Sequence, residues 1–286
     1  MDRLREVRYR CDSRSVYGLF SALFLLVRDS IYYKDLIKQL ILRDLVNKYK
    51  KSLLGVVWHF ITPLIAIASW MLLNHSGVLN PGEVGVPYPV YVLMGTTLWS
   101  TFVLFFEGAS GTLQAGKSFI NQVCYPHHIL LTKQILEAFI SSLIPLALTY
   151  SVAIYSGVSI NLWYLILPLS FIPLALLASS VGVIVSLFGA GFEDVTKAFR
   201  MGIGFVFYLV PIVYSKNSIE SQALSKVIEY NPLSYLITVP RDLVLGVYSG
   251  GQEVAYLLSV FIALALFVFS FRFFFLAEMT VVEKLQ

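Results

Sequence analysis

The feature that most constrains this chain is a series of long runs without a charged residue. Leu54 to Asn74, Pro87 to Phe106 and Leu162 to Phe188 contain no Asp, Glu, Lys or Arg. A helix of about 20 apolar residues crosses a hydrocarbon core about 30 Å thick, so each run is long enough to span a bilayer. Only 13% of the 286 residues are charged, against about 25% in soluble domains, which excludes a water-soluble globule.

These runs and three further apolar segments predict an all-α, polytopic integral membrane protein with six transmembrane helices. A single transmembrane domain is predicted over residues 54–276, followed by a short tail over 277–286. The fifth span is the shortest, because only 15 uncharged residues separate Arg200 from Lys216. It crosses a bilayer only if both basic side chains extend back to the headgroups. The predicted spans cover residues 54–74, 87–106, 135–157, 162–188, 198–215 and 254–276.

The distribution of basic residues indicates which end of the chain lies in the cytosol. Residues 1–53 carry twelve of the 21 Lys and Arg residues. Cytosolic segments of membrane proteins are enriched in Lys and Arg, so the amino terminus is predicted to be cytosolic. A five-span arrangement fits the same rule equally well, which leaves the side of the carboxyl terminus open at this point.

The amino-terminal part divides into two predicted segments. Residues 1–28 are predicted to form a cytosolic or membrane-surface segment, because acidic residues interrupt the basic start and argue against a signal peptide. Residues 29–53 are predicted to contain an amphipathic interface helix. It is either a membrane-surface anchor or a docking platform for a cytosolic partner. Its apolar side carries Tyr33, Leu36, Ile37, Leu40, Ile41, Leu45 and Tyr49.

A literal match to the phosphate-binding loop G-x-x-x-x-G-K-[ST] occurs at Gly111, Gly116, Lys117 and Ser118. Such a loop needs a preceding strand and a following helix within a parallel sheet. Here a predicted span precedes the motif, and Pro126 follows it closely. We interpret the match as chance, and we expect ATP and Mg²⁺ to bind to a separate chain.

Side chains for metal binding or acid–base catalysis are sparse. The four histidines have no Cys or carboxylate at ligand spacing, and the adjacent His127 and His128 are expected to be solvated on a loop. Glu107 and Glu137 lie close to predicted span ends, where a carboxylate reaches water. No metal site, cofactor or catalytic group is therefore predicted in this chain.

Aromatic residues recur on one face of the second predicted span. With Gly95 they follow alternating steps of three and four residues, which places them on one side of a helix. Such a stripe either offers flat apolar surfaces to a passing sugar chain or packs against helices and lipid. The candidates for a substrate path are Tyr88, Tyr91, Trp99, Phe102 and Phe106.

A stripe of small residues in the fourth predicted span predicts close helix packing. Ala175, Ser179, Gly182 and Ser186 follow the same alternating steps. The partner helix belongs either to this chain or to a second subunit, and the pattern does not decide between them.

Two short helices are predicted between the last two spans. Ser218 to Tyr230 forms the first, Asn231 and Pro232 form a break, and Leu233 to Gly246 forms the second. The apolar content of the second helix is too high for a solvated loop. Both helices are therefore expected to dip into the membrane surface.

Three groups of residues carry a resemblance to a known family. The first group looks like a join between an interface helix and a first span. It consists of Arg43 and Asp44, followed by the run from Tyr49 to Pro63. The second group is Asn121 to Pro126. The third group consists of Asn231, Pro232, Arg241 and Gly246. With them, the chain from about residue 29 resembles the membrane subunit of ABC exporters for lipid-linked polysaccharides.

The resemblance implies roles for individual residues. Contact with the ATPase is implied for Arg43, Asp44, Lys48, Tyr49, Lys50, Lys51, Asn121, Tyr125, Pro126, His127 and His128. Two re-entrant gate helices on the external side are implied at Asn231, Pro232, Arg241 and Asp242. The third match also supports six spans, with both termini in the cytosol.

The resemblance further implies what the assembled protein does. Two copies of the chain would enclose a path in the bacterial inner membrane and join two copies of a separate ATPase, which binds ATP and Mg²⁺. The cargo would be a lipid-linked glycan of the O-antigen, capsule or teichoic acid class. It would move from the cytosol to the outer side of the membrane, and the chain itself would not be an enzyme.

The sequence is also compatible with two other functions. An exporter of drugs or small lipids would share the layout but would lack the Arg-Asp to Trp-Pro signature. An integral-membrane enzyme acting on lipid-linked sugars would need paired carboxylates or a metal site facing a cavity. Glu107 and Glu137 are not in such an arrangement in the sequence.

Overall fold

The computed structural model describes residues 18–50, 57–114, 126, 128–189, 191–219 and 221–285. Within these ranges the chain is helical and contains no β-strand, which confirms the all-α prediction. The helices of nine or more residues are α1 (Leu19–Tyr32), α2 (Lys34–Lys50), α3 (Trp58–His75), α4 (Tyr88–Ser110), α5 (His128–Tyr155), α6 (Trp163–Gly189), α7 (Glu193–Val206), α8 (Gln222–Tyr230), α9 (Pro232–Leu245) and α10 (Glu253–Leu285).

Four helices in the described ranges are long and apolar enough to cross a membrane. They are α4, α5, α6 and the Glu253–Ala277 part of α10, and they correspond to the predicted second, third, fourth and sixth spans. α3 is apolar over the shorter stretch Ile61–His75, and α7 has 14 residues. These two helices overlap the predicted first and fifth spans. The chain is therefore a multi-pass membrane protein.

The fifth predicted span, 198–215, differs from the structure at both ends. Its helix, α7, begins earlier, at Glu193, and gives way to a 3-10 turn over Phe207–Leu209. Val210 then adopts an extended conformation with φ −126° and ψ 134°. The cause is Pro211, because a proline disfavours helical geometry in the residue before it. This segment is a short helix followed by non-helical chain that bends at residues 212–214.

Two other helices extend beyond their predicted spans. α5 begins at His128, ahead of the predicted start at residue 135, and α10 continues to Leu285 through the predicted tail. The expectation that His128 is solvated on a loop is wrong, because this residue begins a helix and its side chain is buried. The early start of α5 extends it past the span toward α1 and α2.

The core is densest where α4 and α6 pack side by side. A Cβ added at Gly182 of α6 would lie 2.7 Å from Ala109 Cβ and 2.8 Å from the carbonyl oxygen of Phe106. Because any larger residue would overlap α4, glycine permits this close approach. The small-residue stripe therefore meets a helix of the same chain at Gly182. The other stripe residues, Ala175, Ser179 and Ser186, are also buried.

The two short helices α8 and α9 are separated by Asn231, at the predicted break. Asn231 caps α9, because its side-chain oxygen accepts a hydrogen bond from the Leu233 amide over 3.0 Å. Pro232 takes the first helical position, where a missing N–H is tolerated. α9 ends at Gly246, whose φ of 71° suits glycine. It packs on α4, α6 and α10.

Gly182→Ala is expected to destabilise the folded protein by about 1–3 kcal/mol, because the added methyl group overlaps α4. Gly202→Ala on the exposed side of α7 is the matched control, since a Cβ there meets nothing within 4 Å. Thermal unfolding in detergent, followed by intrinsic Trp fluorescence, measures both variants. Equal unfolding midpoints would contradict the close contact between α4 and α6.

Candidate functional site

The amphipathic helix α2 packs its apolar side on the beginning of α5. Ile37 and Ile41 form a cluster with Ile129, and Leu40 packs against Leu130. These residues are buried, so α5 covers the middle of the apolar side. The amphipathic pattern of the sequence therefore reflects a contact with another helix of the same chain.

An ion network joins the same two helices. Lys133 of α5 donates a hydrogen bond to Asp44 of α2 over 2.7 Å, and a second to Glu137 of its own helix. Arg43 donates to Asp44 over 2.7 Å. Lys133 is only 3% exposed, and a charge buried this deeply needs such partners. We call Asp44, Lys133 and Glu137 the α2–α5 junction.

Lys133 and Glu137 were not among the predicted site residues. Glu137, expected to reach water at a span end, is instead paired with Lys133 and largely buried. Their spacing of four residues on one helix was a signal in the sequence, since such positions are neighbours on a helix surface. The partner on α2 was not readable, because it is 89 residues away in the chain.

α1 is attached to the same part of α5. His128 Nε2 lies 3.2 Å from Asp29 Oδ2, and both residues are buried. Ser30, the residue after Asp29, shares a hydrogen bond of 2.9 Å with Thr132, which lies one turn after His128 on α5. α1 and α2 therefore join the first turns of α5 through separate polar contacts.

The two aspartates in these contacts are held in the ionised form. Burial acts to raise the pKa of Asp44, but hydrogen bonds from Lys133 and Arg43 outweigh it and lower that pKa. The same balance, with His128 as the main partner, lowers the pKa of Asp29. A lowered pKa adds stability above the pKa of the unfolded chain, about 3.9, which is lost as the pH falls through the folded value. Both contacts are therefore intact at neutral pH.

Near the other end of α4, the non-helical segment Val210–Tyr214 lies between helices and bends at residues 212–214. Most of its side chains are buried. A Cβ added at Gly95 of α4 would come within 2.3 Å of the carbonyl oxygen of Ile212. Only glycine allows this backbone to approach α4 so closely. The 23 residues of α4 separate its two ends by about 34 Å, so this segment is far from α2.

Side chains from α4 and α9 bind the carbonyl groups of this segment. Arg241 Nη1 donates to two successive carbonyl oxygens of Val210–Tyr214, over 2.7 and 3.2 Å. The hydroxyls of Tyr88 and Tyr91 donate to the next two, each over 3.1 Å. The guanidinium group also lies 4.0 Å from the centre of the Tyr91 ring and pairs with Asp242 over 2.8 Å. We call Arg241, Tyr88 and Tyr91 the Arg241 clamp.

The aromatic residues of the stripe on α4 differ in how deeply they are buried. Tyr91, Phe102 and Phe106 are buried in the chain's own core, whereas Tyr88 and Trp99 are half-buried. The hydroxyl of Tyr88 is engaged by its hydrogen bond to the segment Val210–Tyr214. Trp99 therefore remains as a stripe residue that keeps part of its side-chain surface for a ligand.

Trp99 belongs to an aromatic cluster formed by three parts of the chain. Its ring centre lies 5.4 Å from that of Phe207, in an edge-to-face arrangement. Trp70 of α3 stacks on Phe207 with ring centres 5.7 Å apart. The cluster of Trp70, Trp99 and Phe207 thus joins α3, α4 and the 3-10 turn after α7.

The predicted ATPase contacts are only partly described. Lys48, Tyr49 and Lys50 form the last turn of α2, and Lys50 is exposed at its end. Pro126 is buried just ahead of α5. The predicted contacts that lie outside the described residues are Lys51, Asn121, Tyr125 and His127.

The local structure around Gly111 does not resemble a phosphate-binding loop. This residue follows the last turn of helix α4, where such a loop would follow a strand. The other motif residues, Gly116, Lys117 and Ser118, lie outside the described residues.

Comparison with known proteins gives a family. The family model described as "ABC-2 type transporter" matches residues 35–245, well over half of the chain. The chain belongs to the ABC-2 type transporter family. Within this ABC-2 chain, the match begins in the first turn of α2 and ends at the last residue of α9. It contains both the α2–α5 junction and the Arg241 clamp.

Individual relatives of this ABC-2 chain are similar at low identity over most of their length. The O-antigen export system permease protein RfbA of Klebsiella pneumoniae is 25% identical over 214 residues, which is 74% of this chain and 81% of that protein. RfbA of Myxococcus xanthus is 22% identical over 216 residues, with the same two coverages of 74% and 81%. The polysialic acid transport protein KpsM of Escherichia coli is 24% identical over 252 residues, covering 82% and 93%.

Lys133→Met is expected to loosen α2 from α5 in this ABC-2 chain, because two carboxylates lose their buried partner. Breaking a buried ion pair costs about 3–5 kcal/mol, and the lower end applies since Asp44 is partly exposed. Hydrogen–deuterium exchange across α2 should become faster. Lys197→Met is the control, because its pair with Asp194 is 67% and 96% exposed and such pairs contribute about 0–1 kcal/mol. Unchanged protection of α2 in Lys133→Met would contradict the junction.

Arg241→Lys is expected to free the segment Val210–Tyr214, because a lysine keeps the charge but lacks the planar donor fork. Each hydrogen bond from a charged donor contributes about 1.5–3 kcal/mol, so the unfolding temperature should also fall. Lys226→Arg, the reverse exchange at an exposed position of α8, is the matched control. Faster amide exchange in the segment for Arg241→Lys alone is the expected result. Equal amide exchange of the segment in both variants would contradict the role of the clamp in holding it.

Proposed function

We propose that this chain is the membrane-spanning permease subunit of an ATP-driven exporter, and that it moves a lipid-linked polysaccharide from the cytosol to the outer side of the inner membrane. The observation that carries the proposal is its similarity, over 74% and 82% of its length, to permeases named for O-antigen export and polysialic acid transport. Both named cargoes are polysaccharides, although their sugars differ. The names of the relatives therefore support polysaccharide as the class of cargo, but they do not indicate a particular sugar.

ATP hydrolysis is assigned to a separate chain that docks on α2. One side of α2 is fixed to α5, while charged residues on its other side face outward. A helix that is packed on one side and charged on the other suits a soluble partner, because charge complementarity directs association. The exposed charged residues of α2 are Lys34, Asp35, Lys38, Arg43 and Lys50.

The assembly is proposed to contain two copies of this chain and two copies of the ATPase. In each copy α3 and α7 act as the first and fifth of six spans, with both termini in the cytosol. Exposed apolar side chains on these two helices support this arrangement, since they are suited to lipid or to a second copy. Examples are Leu64, Ile65, Met71, Met201 and Phe205.

Coupling between motor and membrane domain is assigned to the α2–α5 junction. When the ATPases close, α2 is displaced, and the buried ion pair from Asp44 to Lys133 passes the displacement to α5. α5 continues for 28 residues, long enough to cross the membrane. Packed helices then shift between discrete arrangements rather than deform continuously.

The glycan path is assigned to the surface around the cluster of Trp70, Trp99 and Phe207. All three rings are half-buried, so they combine packing with exposed aromatic surface. Flat aromatic faces bind the apolar faces of sugar rings without requiring a fixed sequence of sugars. This suits a carrier that must let a polymer slide.

The decisive experiment is purification of the chain with its candidate ATPase. We expect a stable complex whose ATP turnover rises severalfold when a lipid-linked glycan is added, and does not rise with a drug-like or small-lipid substrate. Stimulation by the drug or small lipid instead would favour the alternative exporter. Chemical change of the glycan by the isolated chain would favour the enzyme.

Trp99→Ala is expected to reduce glycan export severalfold while the complex still assembles, because it removes exposed aromatic surface from the proposed path. Trp163→Ala at the exposed start of α6 is the control, since that ring lies outside the path. Export is measured as glycan reaching the cell surface, with the amount of complex measured in parallel. Normal export in Trp99→Ala would exclude the cluster as part of the path.

A further inference from the structure

A cavity of about 340 Å³ lies beside the Arg241 clamp, at the end of the molecule remote from α2. It is partly open and is lined by α9 and by the loops that precede α4, α8 and α10. Its volume falls near the lower end of the range for small-molecule sites, about 300–1,000 Å³. Such a cavity accepts a ring-sized group but not an extended chain.

Ser234 brings an unused hydrogen-bonding group to this cavity. It is 2% exposed, and its Oγ has no hydrogen-bond partner among the described residues. The neighbouring Thr238 is satisfied, because it donates to the carbonyl oxygen of Ser234 over 2.8 Å. A buried hydroxyl without a partner is unfavourable. Ser234 lines the cavity, so a small shift of its side chain would let a ligand hydroxyl supply the missing partner.

The charges around the cavity balance one another. Arg241 and Lys216 are matched by Asp242 and Glu83 in the lining. Asp242 is already bound to Arg241 over 2.8 Å. The lining therefore favours neither an anion nor a cation, and an uncharged ligand fits it best.

The rest of the lining offers neutral donors and acceptors. Hydroxyl and amide groups come from Ser215, Asn217, Ser249 and Gln252, and Tyr235 adds an aromatic ring. Hydroxyl and amide groups each can donate and accept, which suits a ligand carrying several hydroxyl groups. An aromatic ring adds a flat surface for the apolar face of a sugar.

We propose that this cavity binds one uncharged sugar ring of the glycan as it leaves the protein. The proposal rests on the proposed function and gives it a site of sugar contact beyond the path at Trp99. Tyr91 and Arg241 line the cavity and also hold Val210–Tyr214. A bound ring therefore touches the residues that keep this segment in place.

The test uses the full chain in lipid nanodiscs without its ATPase. Free mannose, galactose, rhamnose and N-acetylglucosamine serve as probes at millimolar concentration, and saturation-transfer difference NMR detects their binding. Asn217→Trp places a bulky ring at an exposed position of the cavity wall and should abolish at least four-fifths of the signal. Ser234→Ala removes the unpaired hydroxyl and should weaken binding about threefold. Ser159→Trp, exposed and outside the lining, is the control and should bind as the parent chain does.

Binding of at least one of these sugars to the parent chain, lost in Asn217→Trp and kept in Ser159→Trp, supports the site. Two results would overturn it: no binding of any probe to the parent chain, or equal signals from the parent chain and Asn217→Trp. If Ser234→Ala fails to fold, the Asn217→Trp comparison still decides.

Failure of this site is distinguishable from failure of the proposed function. A parent complex whose ATP turnover responds to a lipid-linked glycan, while free sugars do not bind, loses only the cavity proposal. Sugar binding at the cavity in a complex that no glycan stimulates would leave the site intact and contradict the export function.

Discussion

A stretch of non-helical backbone buried among helices sets the main constraint on this structure. The chain from Val210 to Tyr214 cannot form helical hydrogen bonds, and an unpaired peptide group away from water costs several kcal/mol. Arg241, Tyr88 and Tyr91 supply donors to four successive carbonyl oxygens. Fixing these three side chains requires α9 to lie against α4, and so the clamp determines the arrangement of that end of the molecule.

Helix packing connects this end to the one that carries α2. α4 and α6 touch along closely packed faces, where Gly182 brings the two backbones together. Close-packed helices resist local deformation, so a displacement at one end is passed on as a shift of the whole helix. The α2–α5 junction lies where such a displacement would enter. The clamp lies toward the opposite end of α4, a helix about 34 Å long, where such a displacement would be used.

The sequence predicted features that depend on local pattern and missed those that depend on distant partners. Charge-free runs predicted the long helices, and Asn231 with Pro232 located the break between α8 and α9, because spans, caps and prolines act within a few residues. The depth at which Lys133 is buried could not be predicted, since its partner Asp44 is 89 residues away. Arg241 was singled out by resemblance, but its binding to backbone carbonyls needed the fold. The end of α7 was predictable in principle from Pro211, whose effect on the preceding residue is local.

The way in which α7 ends also bears on how the segment Val210–Tyr214 is held. A helix continued through residues 210–214 would satisfy its own backbone and would need no buried arginine. The chain instead has Pro211 there and binds the carbonyl groups with side chains from two other helices. Those hydrogen bonds can be released by small movements of α4 relative to α9, whereas unwinding a helix would break several bonds within one element. The segment is therefore held by side chains of α4 and α9, so a movement of one helix relative to the other would release it.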